Sequence, residues 1–168
     1  MSDENNAVSI ENLVDDGLIN QDFFLSLLNA VNEKKRILLV GQPGAHGLAI
    51  LSSALVMQGD TQGIHYEIYD ADVLKNRKSH AGKLYSAHLR TDEDKYGLLS
   101  AWANGAAGIA TIYADSVRGA MDSLQSCLKG KGIADPSAFL NFTVDIICMI
   151  ELENGTDSVV CDVIIQHA

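Results

Sequence analysis

A glycine-rich loop lies between an apolar run and an apolar helical segment near the start of the chain, and this arrangement constrains the fold most. The run Ile37-Leu38-Leu39-Val40 lacks polar alternation, as expected for a central parallel strand that is covered on both faces. The loop follows as Gly41-Gln42-Pro43-Gly44-Ala45-His46-Gly47-Leu48, and residues 48–57 have the composition of a helix. A strand, a loop and a helix in this order predict an α/β fold with a crevice beyond the carboxyl ends of its strands.

The loop is close to the phosphate-binding pattern G-x-x-x-x-G-K-[ST], but it lacks the groups that carry the chemistry. Gly41 is in register, whereas His46 falls where the second glycine belongs. Gly47 takes the position of the lysine that reaches the β- and γ-phosphates, and Leu48 takes that of the hydroxyl that holds Mg²⁺. The sequence therefore predicts a nucleotide-binding scaffold without the groups for nucleotide chemistry.

Length and charge limit the class of protein. The chain has 168 residues and a net charge of −10, enough for one domain with a sizeable core. We expect residues 1–8 to be a disordered acidic tail and residues 9–168 to be that domain. The negative charge argues against a surface for nucleic acid or anionic lipid. No apolar run reaches the ~20 residues of a membrane span, and the first residues do not form a signal peptide.

Cysteine and histidine patterns give no indication of a metal site. The three cysteines, Cys127, Cys148 and Cys161, lack metal-ligand spacing, and the five histidines form no cluster. Buried free thiols in a reducing cytoplasm are the simplest interpretation. We therefore predict a cytoplasmic protein without zinc.

Helix and strand patterns alternate along the chain. Asn20, Ser116 and Asp135-Pro136 are predicted to begin helices, and Asn154-Gly155 between two apolar runs is typical of a hairpin. The predicted helices cover residues 9–17, 48–57, 92–102 and 116–128, and two more begin at Asn20 and at Asp135-Pro136. The predicted strands cover 37–40, 64–69, 84–89, 107–113, 144–151 and 159–165. This order predicts βαβ units in a mostly parallel sheet with a hairpin at its end.

Several segments resemble one known family in their order and spacing. Before the loop these are Ile10-Glu11-Asn12-Leu13-Val14, Gly17-Leu18-Ile19 and Leu27-Leu28-Asn29-Ala30-Val31. After it come Leu98-Leu99-Ser100-Ala101-Trp102, Gly105, Gly108 and Ala110-Thr111-Ile112-Tyr113-Ala114-Asp115-Ser116. They look like the lead-in, the leucine-rich helix and the "TGH" and "ATIHANS" signatures of the ATPases of type II and type IV secretion systems, especially the conjugal-transfer type called TrbB-like. The resemblance implies a RecA-like P-loop NTPase core with three layers, a mostly parallel sheet and a C-terminal β-hairpin.

The departures from this family all remove chemistry. Tyr69 replaces the glutamate of the acidic box, in which Ile68 and Asp70 match, and Ala106 and Tyr113 stand at two histidine positions. For the Walker B strand two alignments remain open. One places Leu84–Arg90 there, with His88 at the glutamate. The other matches Leu89-Arg90-Thr91 to an earlier arginine segment and deletes the strand. Neither leaves a glutamate to position water.

The resemblance and these losses together imply a catalytically inactive paralogue that binds protein. The expected partner is an active secretion ATPase or another component of the secretion system. No cofactor is expected, although ATP and Mg²⁺ would bind if the loop has been rebuilt. Because the family's N-terminal domain is not present in this sequence, a monomer or small homo-oligomer is favoured over a ring. Two alternatives stay open: a nucleotide-binding subunit with an atypical loop, and a separate α/β module that binds a small anion.

Individual residues also have two interpretations each. His46 is either a surrogate phosphate cation or an exposed loop residue, and Asp70 is either a metal ligand or a residue that makes a helix cap or a loop hydrogen bond. Arg90 and Arg118 are either former phosphate or subunit contacts or solvated surface groups. Trp102 is expected to pack in the core or at a subunit interface. Two further candidates, Glu67 and Tyr69, rest only on their position near the predicted sheet edge.

Overall fold

The structure is a computed structural model that describes residues 10–61, 67–68, 74, 78–153 and 156–160. Its helices are α1 (Ile10–Asp15), α2 (Gln21–Asn32), α3 (Gly47–Thr61), α4 (Asp92–Ala103), α5 (Val117–Gly130) and α6 (Pro136–Thr143). Its strands are β1 (Arg36–Gly41), β2 (Glu67–Ile68), β3 (Leu84–His88), β4 (Ala107–Tyr113), β5 (Ile146–Glu153) and β6 (Thr156–Val160). The predicted alternation of strands and helices is confirmed.

These strands form one sheet in the order β2-β3-β4-β1-β5-β6. β1 pairs in parallel with both β4 and β5, β3 pairs in parallel with β4 and β2, and only β6 runs antiparallel, beside β5. The sheet is therefore mostly parallel with a hairpin at one edge, as predicted. The glycine-rich loop follows the central strand β1, so it lies between the ends of β4 and β5.

Apolar side chains cover both faces of the sheet. Alternate residues of β1 point to opposite sides: Leu38 and Val40 join a core with α4, α5 and α6, whereas Ile37 and Leu39 join a core with α1, α2 and α3. Both sides of the strand are thus buried, which explains its lack of polar residues. The three-layer α/β architecture is confirmed.

Polar side chains fix the starts of the helices. The Asn20 side chain accepts a hydrogen bond from the Phe23 amide at 3.0 Å, Ser116 accepts one from the Gly119 amide at 3.0 Å, and Asp135 accepts one from the Ala138 amide at 2.9 Å. These three predicted caps are confirmed. A fourth helix, α4, begins with a reciprocal capping box between Thr91 and Asp94, which sequence analysis did not identify.

Some predicted boundaries differ from the structure. The last long strand begins at Ile146 rather than Val144, because the Val144 amide donates to the Leu140 carbonyl and ends α6. The hairpin is confirmed by the pairing of Glu153 with Thr156, so its second strand begins before the predicted Val159. Helix α3 extends to Thr61, beyond the predicted residue 57.

Other predictions fall on residues outside the described ranges. The tail at 1–8, the turn residues 154–155 and the end of the second hairpin strand (161–165) all lie there. Of the predicted strand 64–69, only Glu67–Ile68 are described. No helix in the described residues is both long enough and apolar enough to cross a membrane.

Candidate functional site at the carboxyl ends of the strands

The glycine-rich loop is a tight turn whose amides are partly used within the protein. The Gln42 amide donates to the Ile150 carbonyl at 3.1 Å, and the Ala45 amide donates to the Gln42 carbonyl at 2.9 Å. Gly44 has a φ of 91°, which a residue with a side chain rarely adopts. Two loop amides are therefore already paired, whereas a phosphate-binding loop turns its N–H groups toward the ligand.

Apolar side chains occupy the inner side of the loop. Ala45 and Leu48 are buried in the core that includes residues of α1, α2 and α3, and Leu48 is 1% exposed. The Leu48 side chain lies directly against Gly41, where an added Cβ would come 3.0 Å from Leu48 Cδ2. Gly41 is thus needed for the close approach of Leu48. Gly47, at the lysine position, is also buried.

The Gln42 side chain connects the loop to two other parts of this sheet edge. Its Oε1 accepts a hydrogen bond from the Leu152 amide at 2.9 Å, and its Nε2 lies 3.5 Å from the Asp115 carbonyl. The side chain thus bridges β5 and the segment after β4. Sequence analysis singled out Gln42 only as a loop residue, because its partners lie 73 and 110 positions away.

The outer part of the loop faces solvent. Pro43, Gly44 and His46 are exposed. Exposure of His46 agrees with the simpler of its two interpretations, a loop residue in contact with solvent. Of the eight predicted loop residues, those on the inner side serve the core and those on the outer side are solvated.

His88 lies at the end of β3, the strand that the first of the two Walker B alignments requires. Its Nδ1 is 2.7 Å from the Thr111 hydroxyl oxygen, and its ring meets that of Tyr113 edge-on at 5.4 Å. Burial and then the positive charge of Arg90 lower the pKa of His88, and they outweigh the contact with Thr111. The imidazole is therefore neutral at neutral pH, and it does not replace the negative charge of a glutamate.

The remaining candidates are scattered. Arg90 and Arg118 are exposed, and Arg118 makes only a 4.0 Å contact with Asp122 on its own helix. Trp102 is buried in the core, as predicted. Tyr69 and Asp70 lie outside the described residues, and for Glu67 only the backbone is described.

The described residues of this edge do not fit Mg²⁺–ATP. The loop has neither the lysine nor the hydroxyl of the phosphate-binding pattern, and Leu48 fills the space beneath Gly41. Within the described ranges, no group of three histidine, cysteine, aspartate or glutamate side chains could hold a metal ion. The site resembles a phosphate loop in its place in the fold rather than in its chemical groups.

Comparison with known proteins gives structural but no sequence matches. No protein-family model matches the chain, and a search of curated proteins finds no significant relative. The fold is similar to the VirB11 ATPase of the Brucella suis type IV secretion system, solved in complex with sulphate, with a TM-score of 0.62, 18% identity, and coverage of 95% of this chain and 56% of that one. It is also similar to the Legionella pneumophila ATPase DotB, with a TM-score of 0.66, 12% identity, and coverage of 89% and 51%. The chain spans about half the length of these proteins and shares their fold, a RecA-like three-layer α/β core.

Proposed function

We propose that this protein is a catalytically inactive relative of a type IV secretion or conjugal-transfer ATPase and that it acts by binding protein. The observation that carries the proposal is the packing of Leu48 against Gly41. An apolar side chain, 1% exposed, stands where the motif places a magnesium-binding hydroxyl. The two similar structures are described as ATPases, and the same fold here lacks the groups for that reaction.

Phosphoryl transfer depends on positioned charge, and this site offers little. The lysine, the hydroxyl and the water-positioning glutamate are replaced by Gly47, Leu48 and, in the first Walker B alignment, by the neutral His88. Each lost charge-assisted hydrogen bond weakens binding by about 1.5–3 kcal/mol, or roughly 10- to 150-fold. The combined loss is too large for hydrolysis in the manner of the family.

Calorimetric titration of the protein with ATP and ADP, with and without Mg²⁺, tests the first half of the proposal. We expect no binding heat at millimolar nucleotide. Micromolar, Mg²⁺-dependent binding would contradict the proposal and favour a rebuilt loop in a nucleotide-binding subunit. The double variant Gly47→Lys/Leu48→Thr should also remain without turnover, because no glutamate is restored, and substantial ATPase activity there would count against it.

A surface on α3 supports the protein-binding half of the proposal. From Gly47 to Gly59 this helix has no charged residue, and it exposes Ile50 and Met57, which are 38% and 46% exposed. These two residues are seven positions apart and so lie on the same side of the helix. The exposed Ser53 lies between them on that side, so the surface consists of two large apolar side chains and a small uncharged one. We assign this surface to contact with an active secretion ATPase subunit.

The contact can be measured with purified proteins. The protein is mixed with an active type IV secretion ATPase, and complex formation is followed by light scattering after size exclusion, together with ATP turnover. We expect a complex that the double variant Ile50→Glu/Met57→Glu abolishes and that Lys129→Glu on α5 leaves intact. Equal binding by both variants would remove α3 from the interface, and no complex with the native protein would refute this choice of partner.

A further inference from the structure

We draw no further inference here: the strongest candidate, the side-chain cluster of His88, Thr111 and Tyr113 at the carboxyl ends of β3 and β4, belongs to the candidate site already described, and the described residues around it leave no buried polar group unpaired that would point to a ligand.

Discussion

Replacing Leu48 by alanine tests whether the former hydroxyl position now serves the core. Leu48 is 1% exposed and contacts Gly41, so the change deletes buried methyl groups and leaves a cavity under the loop. Substitutions of this kind cost about 2–5 kcal/mol, out of a total stability of roughly 5–15 kcal/mol for a domain. We therefore expect Leu48→Ala to lose a large fraction of the free energy of unfolding.

Ile50→Ala is the matched control, because it removes a similar side chain two positions later on the same helix. Ile50 is 38% exposed, so the expected loss is below about 1 kcal/mol. Urea denaturation followed by circular dichroism measures both variants, and an unchanged slope against urea shows that the unfolded state is comparable. A loss for Leu48→Ala no greater than that for Ile50→Ala would refute the role of Leu48 in the core, and with it the main support for the proposed function.

Two further changes test the strand contacts that hold the sheet together. Gly108→Ala should lower the free energy of unfolding by roughly 3 kcal/mol or more, because the φ of Gly108 is 125° and an added Cβ would lie 2.1 Å from the Tyr85 carbonyl oxygen. Gly130→Ala is the control, because an added Cβ there has no atom within 4 Å, and it should be neutral or stabilising by up to ~1 kcal/mol. Asp145→Asn should cost about 1.5–3 kcal/mol, because Asp145 accepts hydrogen bonds from the Arg36 amide and side chain. Burial raises the pKa of Asp145, but the hydrogen bonds from Arg36 outweigh it and lower the pKa below the ordinary 3.8. Urea denaturation should therefore give a difference in the free energy of unfolding between native protein and Asp145→Asn that is constant above pH ~4 and shrinks as the pH falls through the lower, folded-state pKa. A difference that does not depend on pH would contradict this.

Features that depend on neighbouring residues could be predicted from the sequence. Phe24, Leu27, Leu28 and Val31 recur at i, i+3, i+4 and i+7, which predicts one apolar face of α2, and all four are buried. The caps at Asn20 and Ser116 follow from a side chain that reaches an amide three positions away. Such contacts are within the reach of local patterns.

Features of the candidate site that depend on distant residues could not be predicted. The motif comparison showed that Leu48 replaces a hydroxyl, but it could not show that this side chain joins a core with Ile150, which is far away in the sequence. Nothing near Gln42 in the sequence indicates its contacts with Leu152 and Asp115, since Leu152 lies on β5 and Asp115 follows β4.

The sequence by itself determined the fold class, since unbroken apolar strands, helical periodicity and one hairpin turn have few other arrangements. It also determined which chemical groups are missing from the glycine-rich loop. The tertiary structure alone decided what took their place, because Leu48 joins a core with residues of β1, β4 and β5, and Gln42 bridges β5 and the segment after β4. Strand order brings together residues far apart in the chain, and no pattern within a short window records which strands will be neighbours.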